Sequence, residues 1–282
     1  MVTVGVHVSI AGSLLYAFDR AKERECDCFQ LFTKNPRGWK AKPIDEEIAA
    51  SFRKAAYEFR TGPVFAHLSY LPNFAGDRPD MYEKSVDALL LELSRCEILA
   101  IPYLILHLGH AGDSITEGKK RVVAAIETAV GEMTGDTMFL LENTAGEKNS
   151  VGSRIEDFAD VFSRVSDQSR IGLCIDTCHA FAAGYDLRDE ASVGEFADTI
   201  QDVIGLSHLK LIHLNDTKGP LGSGLDRHEH IGLGLIGEEG LKAVLRSESL
   251  GNIPYICETP VDDRRGDLEN VRIVKALASK SP

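Results

Sequence analysis

Apolar residues recur along the chain in short runs, and most runs close on a polar residue. Eight of them have strand length: residues 3–9, 28–33, 64–69, 103–109, 137–144, 171–177, 209–216 and 253–260. Segments with helical spacing lie between them, over 13–25, 45–60, 80–100, 116–132, 153–165, 190–205, 238–247 and 267–279. In 80–100, Met81, Val86, Leu89, Leu90, Leu93 and Ile98 line one side. In 153–165, Ser153 stands three residues before Glu156 and predicts a capping box. Strand–helix units repeating roughly every 35 residues predict an α/β protein, a (β/α)8 TIM barrel, a fold that needs ~250 residues. The rival is an open doubly wound sheet. Its glycine-rich phosphate loop after the first strand is missing, since "VSIAGSL" has only Gly12.

Composition changes little in this picture. The chain has 282 residues, 44% hydrophobic and 26% charged, ordinary values for a soluble globular protein with a sizeable core. No composition shift or linker divides it, so residues 1–282 are expected to form a single domain. The opening "MVTVGVHVSIAG" has no basic region and no long apolar run, and no stretch reaches the ~18 apolar residues of a membrane span. The expected compartment is the cytoplasm, without membrane contact. Cys26, Cys28, Cys96, Cys174, Cys178 and Cys257 fall mostly in apolar runs and are expected as reduced, buried thiols. The net charge of -12 argues weakly against a nucleic-acid partner, because local charge and bound cations decide what a site presents.

The ends of the strands change the picture more. In a TIM barrel the chemistry collects at the C-terminal ends of the strands. There the polar residues are His7, Gln30, His67, His107, Glu142, Asp176, His213 and Glu258. One histidine in an apolar run is more often a satisfied core residue, and one carboxylate more often a cap. So many converging on one mouth would repel and be poorly solvated unless divalent cations were present. Mixed histidine and carboxylate donors suit zinc or manganese better than magnesium. "DTCH" adds His179. The glycine-rich segment "KGPLGSGLDRHEH" adds Asp226 and His228, folded back over the mouth. The nine candidates His67, His107, Glu142, Asp176, His179, His213, Asp226, His228 and Glu258 are too many for one tetrahedral ion and suit two or three, with a carboxylate bridging.

Five stretches carry a resemblance: "FTKNPRGWKAKP" (32–43), "LLENTAG" (140–146), "IDTCHAFAAGYD" (175–186), "HLNDTKGPLGSGLDRHEHIGLGLIG" (213–237) and "ETP" (258–260). Together they resemble the endonuclease IV family of apurinic/apyrimidinic endonucleases. The resemblance implies a TIM barrel with three zinc ions that cleaves DNA 5′ to an abasic site, leaving 3′-hydroxyl and 5′-deoxyribose phosphate ends. It implies that His67, His107 and Glu142 hold one zinc. Glu142 would bridge to a second, also held by Asp176, His213 and Glu258. His179, Asp226 and His228 would hold the third. Glu142 and Glu258 become the expected catalytic carboxylates. The sequence departs from the family pattern at Leu108, usually proline, and at Glu147 and Lys148, where Gln-Gly is common. His7, His110 and His230 match no family ligand, and Cys178 is expected to pack.

The loop after the second strand, "TKNPRGWKAK", holds Lys34, Arg37, Lys40 and Lys42 with Trp39 and no acid. Basic residues position a phosphate backbone, and bulky side chains wedge into the base stack. Lys34, Asn35, Arg37 and Trp39 are therefore the expected contacts to double-stranded DNA. The resemblance adds Tyr70 and Leu71 as a second insertion loop, and implies a monomer. The strongest rival is a metal-dependent sugar isomerase or epimerase on a similar barrel. The third ligand set and the basic loop argue against it. A zinc-stabilised binding module would not need ligands on so many strands.

Overall fold

The computed structural model describes residues 2–279. Its main sheet joins β1 (Val4–Val6), β2 (Phe29–Leu31), β3 (Val64–His67), β4 (Tyr103–His107), β5 (Met138–Glu142), β6 (Ile171–Asp176) and β7 (Leu209–His213) with a later strand. A short antiparallel ribbon, β8 (Asp216–Thr217) and β9 (His228–Glu229), precedes that last strand, β10 (Tyr255–Cys257). The eight strands are parallel, in the order β1-β10-β7-β6-β5-β4-β3-β2. The β1–β2 seam closes through the parallel bridge His7–Gln30, where the Val8 N–H donates to the Gln30 carbonyl at 2.8 Å. Gly5 makes this approach possible, since a Cβ there would collide with the Cys28 carbonyl.

Strand periodicity sorts the side chains into two layers. Phe65, Ile105, Leu140, Cys174, Leu211 and Ile256 form an apolar plug with Cys28. The intervening residues, such as Leu104, Leu106, Phe139, Leu141, Leu173 and Ile212, join the larger core beneath the helices. The plug parity continues two residues on to Gln30, His67, His107, Glu142, Asp176, His213 and Glu258. The same step leads from Gly5 to His7. The polar mouth is thus the next interior layer of the barrel.

The surrounding helices are α1 (Tyr16–Glu23), α2 (Glu46–Glu58), α3 (Pro79–Leu99), α4 (Ile115–Gly131), α5 (Ile155–Phe162), α6 (Thr177–Ala183), α7 (Glu190–Val203), α8 (Gly237–Arg246) and α9 (Asp267–Ala278). All eight expected helices are present, with small differences at their ends, and α6 is an addition. Its run is short, and its residues read as strand end and loop. The capping box on α5 does not form. The helix starts at Ile155, Arg154 is its N-cap without a side-chain bond, and the Ile155 N–H donates to the Tyr185 hydroxyl at 3.1 Å. All six cysteines are free and buried. Among the described residues, no helix is long and apolar enough to cross a membrane.

Candidate metal centre

The nine candidate residues meet at one mouth in three groupings: His67–His107–Glu142, Glu142–Asp176–His213–Glu258, and His179–Asp226–His228. Glu142 joins the first two. Its Oε2 lies 3.0 Å from His67 Nε2 and 3.4 Å from His107 Nε2. Its Oε1 lies 2.9 Å from His213 Nδ1. Asp176 joins the second grouping to the third, with Oδ2 4.0 Å from His213 Nδ1 and 3.6 Å from His228 Nε2. Asp226 Oδ1 sits 3.4 Å from His179 Nε2 and 3.3 Å from His228 Nε2. Glu258 Oε2 is 3.3 Å from His213 Nδ1.

Local structure aims each donor. Asp176 ends β6 and caps α6, its Oδ1 accepting from the His179 N–H at 2.9 Å, which leaves Oδ2 for the centre. Asp226 and His228 arrive on the glycine-rich loop. Gly222 and Gly224, both with positive φ, donate their N–H groups to the carbonyls of Phe181 and Ala182 at 3.0 Å, so the loop lies back on α6. Buried Asp216 orders the far side of the loop by accepting from the N–H groups of Gly234 and Ile236.

The imidazoles are oriented from behind. His67 Nδ1 lies 2.6 Å from the Leu68 carbonyl, His179 Nδ1 2.9 Å from that of Asn143, and His228 Nδ1 3.0 Å from that of Glu258. His213 Nε2 meets Gln30 Oε1 at 2.8 Å. A nitrogen facing a carbonyl must donate, so the opposite nitrogen is the one turned to the mouth, where its lone pair would serve a metal that displaces any proton there, as in a metal-ligating histidine. His228 Nε2 is buried and has no hydrogen-bond partner among the described residues. A buried, unpartnered imidazole nitrogen close to carboxylates, at the meeting of mixed His/Asp/Glu donors, fits a divalent cation of the zinc type.

The charge balance fits as well. Burial opposes ionisation of Glu142, yet the facing His107, His213 and His67 hold its carboxyl well below the usual range. Burial also opposes ionisation of Glu258, and His213 and His7 likewise hold it low. Burial disfavours charge on His179, but Asp176, Asp226 and Glu142 raise its pKa to about 10. Cys178 lies near enough to Asp176 and His228 to compete as a donor. Burial, reinforced by Asp176, pushes its thiol up to about 12, so it stays protonated and packs as expected.

Several amides work beside the carboxylates. Asn143 Oδ1 accepts from the Asp176 N–H at 2.6 Å, and Asn215 Nδ2 donates to Asp176 Oδ2 at 2.7 Å. Gln30 Nε2 donates to Glu258 Oε1 at 2.7 Å while its carbonyl serves His213. His7 Nδ1 meets the same Gln30 amide at 2.9 Å. His230 is buried away from the mouth, between Asp262 and Asn270, and His110 is exposed. Asn143 and Asn215 each follow or closely follow a strand-end ligand in sequence, which was the signal available for them.

The expected DNA contacts divide. Asn35 and Arg37 are exposed, and Asn35 Oδ1 accepts from the Arg37 N–H at 3.0 Å. Tyr70 is exposed and lines the cleft of about 400 Å³ above the ligands, with Leu71 half-buried beside it. Trp39 is half-buried in a groove against Leu91 of α3. Lys34 departs from expectation. Its ammonium is buried, donates to the Gly38 carbonyl at 2.7 Å and lies 3.5 Å from Glu92, so in this structure it is a strut inside the loop and not an exposed cation.

A closed parallel barrel with nine convergent His, Asp and Glu donors at the C-terminal ends of its strands defines a metallo-enzyme of the TIM-barrel class. The family model that matches residues 18–278 is the xylose isomerase-like TIM barrel. A probable endonuclease 4 from Methanoculleus marisnigri is 53% identical over 280 residues, covering 99% of each chain. The crystal structure of endonuclease IV from Thermus thermophilus superposes with a TM-score of 0.86 at 34% identity over 98% of each chain. The chain belongs to the endonuclease IV family and is a nuclease. A D-tagatose 3-epimerase-like protein, 17% identical with a TM-score of 0.72, shares the fold alone.

Proposed function

We propose that this protein is a zinc-dependent deoxyribonuclease that hydrolyses the phosphodiester 5′ to an abasic site in double-stranded DNA. It leaves 3′-hydroxyl and 5′-deoxyribose phosphate ends and acts as a monomer in the cytoplasm, in base excision repair. The observation that carries this reading is the double engagement of Glu142, which serves two ligand groupings while a third stands beside them. Three groupings, one per zinc, match the resemblance found in the motifs and the relatives named endonuclease 4.

His67, His107 and Glu142 would hold one zinc, Glu142, Asp176, His213 and Glu258 a second, and His179, Asp226 and His228 a third. Bound zinc supplies Lewis acidity toward a phosphate and brings the pKa of a bound water down toward neutrality. The two glutamates differ in access. Both line the cleft, but the Glu142 side chain is 1% exposed and that of Glu258 is 22% exposed, so Glu258 is the more open to it. Gln30 and the Asn215 side chain fix Glu258 from behind, the latter accepting from the Glu258 N–H at 2.8 Å. Its Oε2 is placed to orient the attacking water and to accept its proton. Arg37 and Asn35 meet the DNA backbone from the exposed loop, Tyr70 and Leu71 form the apolar lip of the cleft, and Trp39 meets the duplex from its groove beside α3. An abasic nucleotide lacks base stacking and is cheap to turn out of the duplex into the cleft. The acid-free loop and the third grouping favour this reading over a sugar epimerase.

The test is incubation of the pure protein with a duplex carrying one abasic site. Nicking on the 5′ side is expected, abolished by EDTA and restored by zinc, with an intact duplex left whole. Zinc-loaded protein that leaves the abasic duplex intact, or nicking indifferent to EDTA, overturns the proposal.

A further inference from the structure

The basic loop after β2 is tied to helix α3 at three points. Arg95 spans its two ends, with Nη2 donating to the Thr33 carbonyl at 2.6 Å and Nη1 to the Lys42 carbonyl at 2.8 Å. Arg95 Nε also donates to Thr33 Oγ1 at 2.8 Å, and that hydroxyl donates in turn to Glu92. Lys34 ties the middle, reaching back to the Gly38 carbonyl while its ammonium faces Glu92. Thr33, Lys34, Glu92 and Arg95 are all buried. Glu92 and Arg95 are three residues apart on α3, which puts both on the face that meets the loop. Between the ties stand the exposed residues Asn35, Arg37 and Lys40.

A buried cluster of one acid and two bases is an expensive way to gain stability, because desolvation offsets most of the attraction. It does fix geometry: Arg95 is held to both ends of the loop at once, and Lys34 to the Gly38 carbonyl and Glu92 together. A nine- or ten-residue glycine- and proline-containing loop left free would lose conformational entropy on meeting a duplex. A loop already held loses little, and the saving appears as affinity.

We infer that Glu92, Arg95, Thr33 and Lys34 form a clamp that pre-sets the loop from Thr33 to Lys42 for the DNA backbone, making them positioning residues for binding. The inference rests on the proposed DNA-binding reading of that loop. The clamp acts on affinity and not on the chemical step, and none of its four charged or hydroxyl groups neutralises a phosphate itself.

The test uses the zinc-loaded protein with Arg95→Lys and Thr33→Val, and Thr33→Ser as the variant that keeps the hydroxyl. Arg95→Lys retains the charge but loses the fork that spans both carbonyls. Thr33→Val and Arg95→Lys are expected to weaken binding of an abasic duplex by about tenfold. The maximal nicking rate at saturating duplex and the zinc content stay as in the parent. The slope of log affinity against log salt stays the same, and Thr33→Ser restores binding. Independently of DNA, trypsin is expected to cut after Arg37 or Lys40 faster in Arg95→Lys and Thr33→Val. Parent-like affinity in both variants, or a fall in salt slope matching that of Arg37→Ala, overturns the clamp. Unchanged trypsin cutting in both also overturns it. If Arg37→Ala itself leaves binding unchanged while trypsin cutting accelerates in the clamp variants, the DNA-binding reading of the loop fails and the clamp, as a device for DNA affinity, fails with it. If one variant does not fold, the other carries each of these readouts.

Discussion

Glu142 and His213 face each other at 2.9 Å, carboxylate Oε1 to imidazole Nδ1, while the other oxygen of the same carboxylate lies 3.0 Å from His67. One buried carboxylate thus serves two sets of imidazoles on opposite sides of the mouth. Glu142→Gln keeps the volume and removes the charge those imidazoles face. The variant should fold and lose about two of roughly three zinc ions, keeping the one at His179, Asp226 and His228. Elemental analysis beside circular dichroism checks this, and undiminished zinc content would contradict the bridging role.

Glu258→Gln tests the exposed carboxylate. Nicking should fall by several orders of magnitude, because the charge that ligates and orients water is gone while the side-chain volume remains. Single-turnover rates on an abasic duplex are the measurement. Near-normal turnover excludes Glu258 from the chemistry.

The pH dependence of metal uptake follows from the imidazoles. Burial disfavours charge on His179, but Asp176, Asp226 and Glu142 hold its pKa at about 10. His67 and His213 are likewise raised against the cost of burial by facing carboxylates, with Cys174 adding to the rise at His213. In the ion-free protein His179 and His213 hold protons at neutral pH, and an incoming cation must displace them. Zinc affinity should therefore rise with pH across the neutral range, and zinc loading should release protons into a lightly buffered solution. Uptake without proton release contradicts the assignment.

Arg37→Ala should weaken DNA binding and reduce the salt slope by roughly one unit, the share of one neutralised phosphate. Zinc content should not change. If Arg37 enters the minor groove at the lesion, preference for abasic over intact duplex falls too. Titrations at several salt concentrations on both duplexes separate these outcomes, and identical slopes for parent and variant remove Arg37 from the DNA face.

The barrel and the convergence of its nine candidate donors were legible in the sequence for one physical reason. The apolar plug and the polar mouth share a strand parity, so Phe65 leads to His67 and Leu140 to Glu142 within a single run. What the sequence withheld was direction and partnership. Lys34 and Arg37 read alike in an acid-free loop, but Lys34 turns inward because Glu92, far along the chain on α3, waits beneath it. Gln30, Asn143 and Asn215 are amides at strand ends, where a cap or a surface group is the ordinary outcome, and only the closed barrel brings them against Glu258, Asp176 and His213. The missed helix α6 is seven residues long, and its cap is a residue that already reads as a ligand, Asp176.

The central claim is that a mouth of three zinc ions cleaves DNA at abasic sites. The most direct test strips the protein with chelator and returns zinc in steps, reading metal content and nicking of an abasic duplex on the same samples. The account predicts that nicking returns in step with zinc and reaches its full rate only near three equivalents, given one ion per grouping of three or four donors. Full activity with a reproducible single zinc per chain would contradict it.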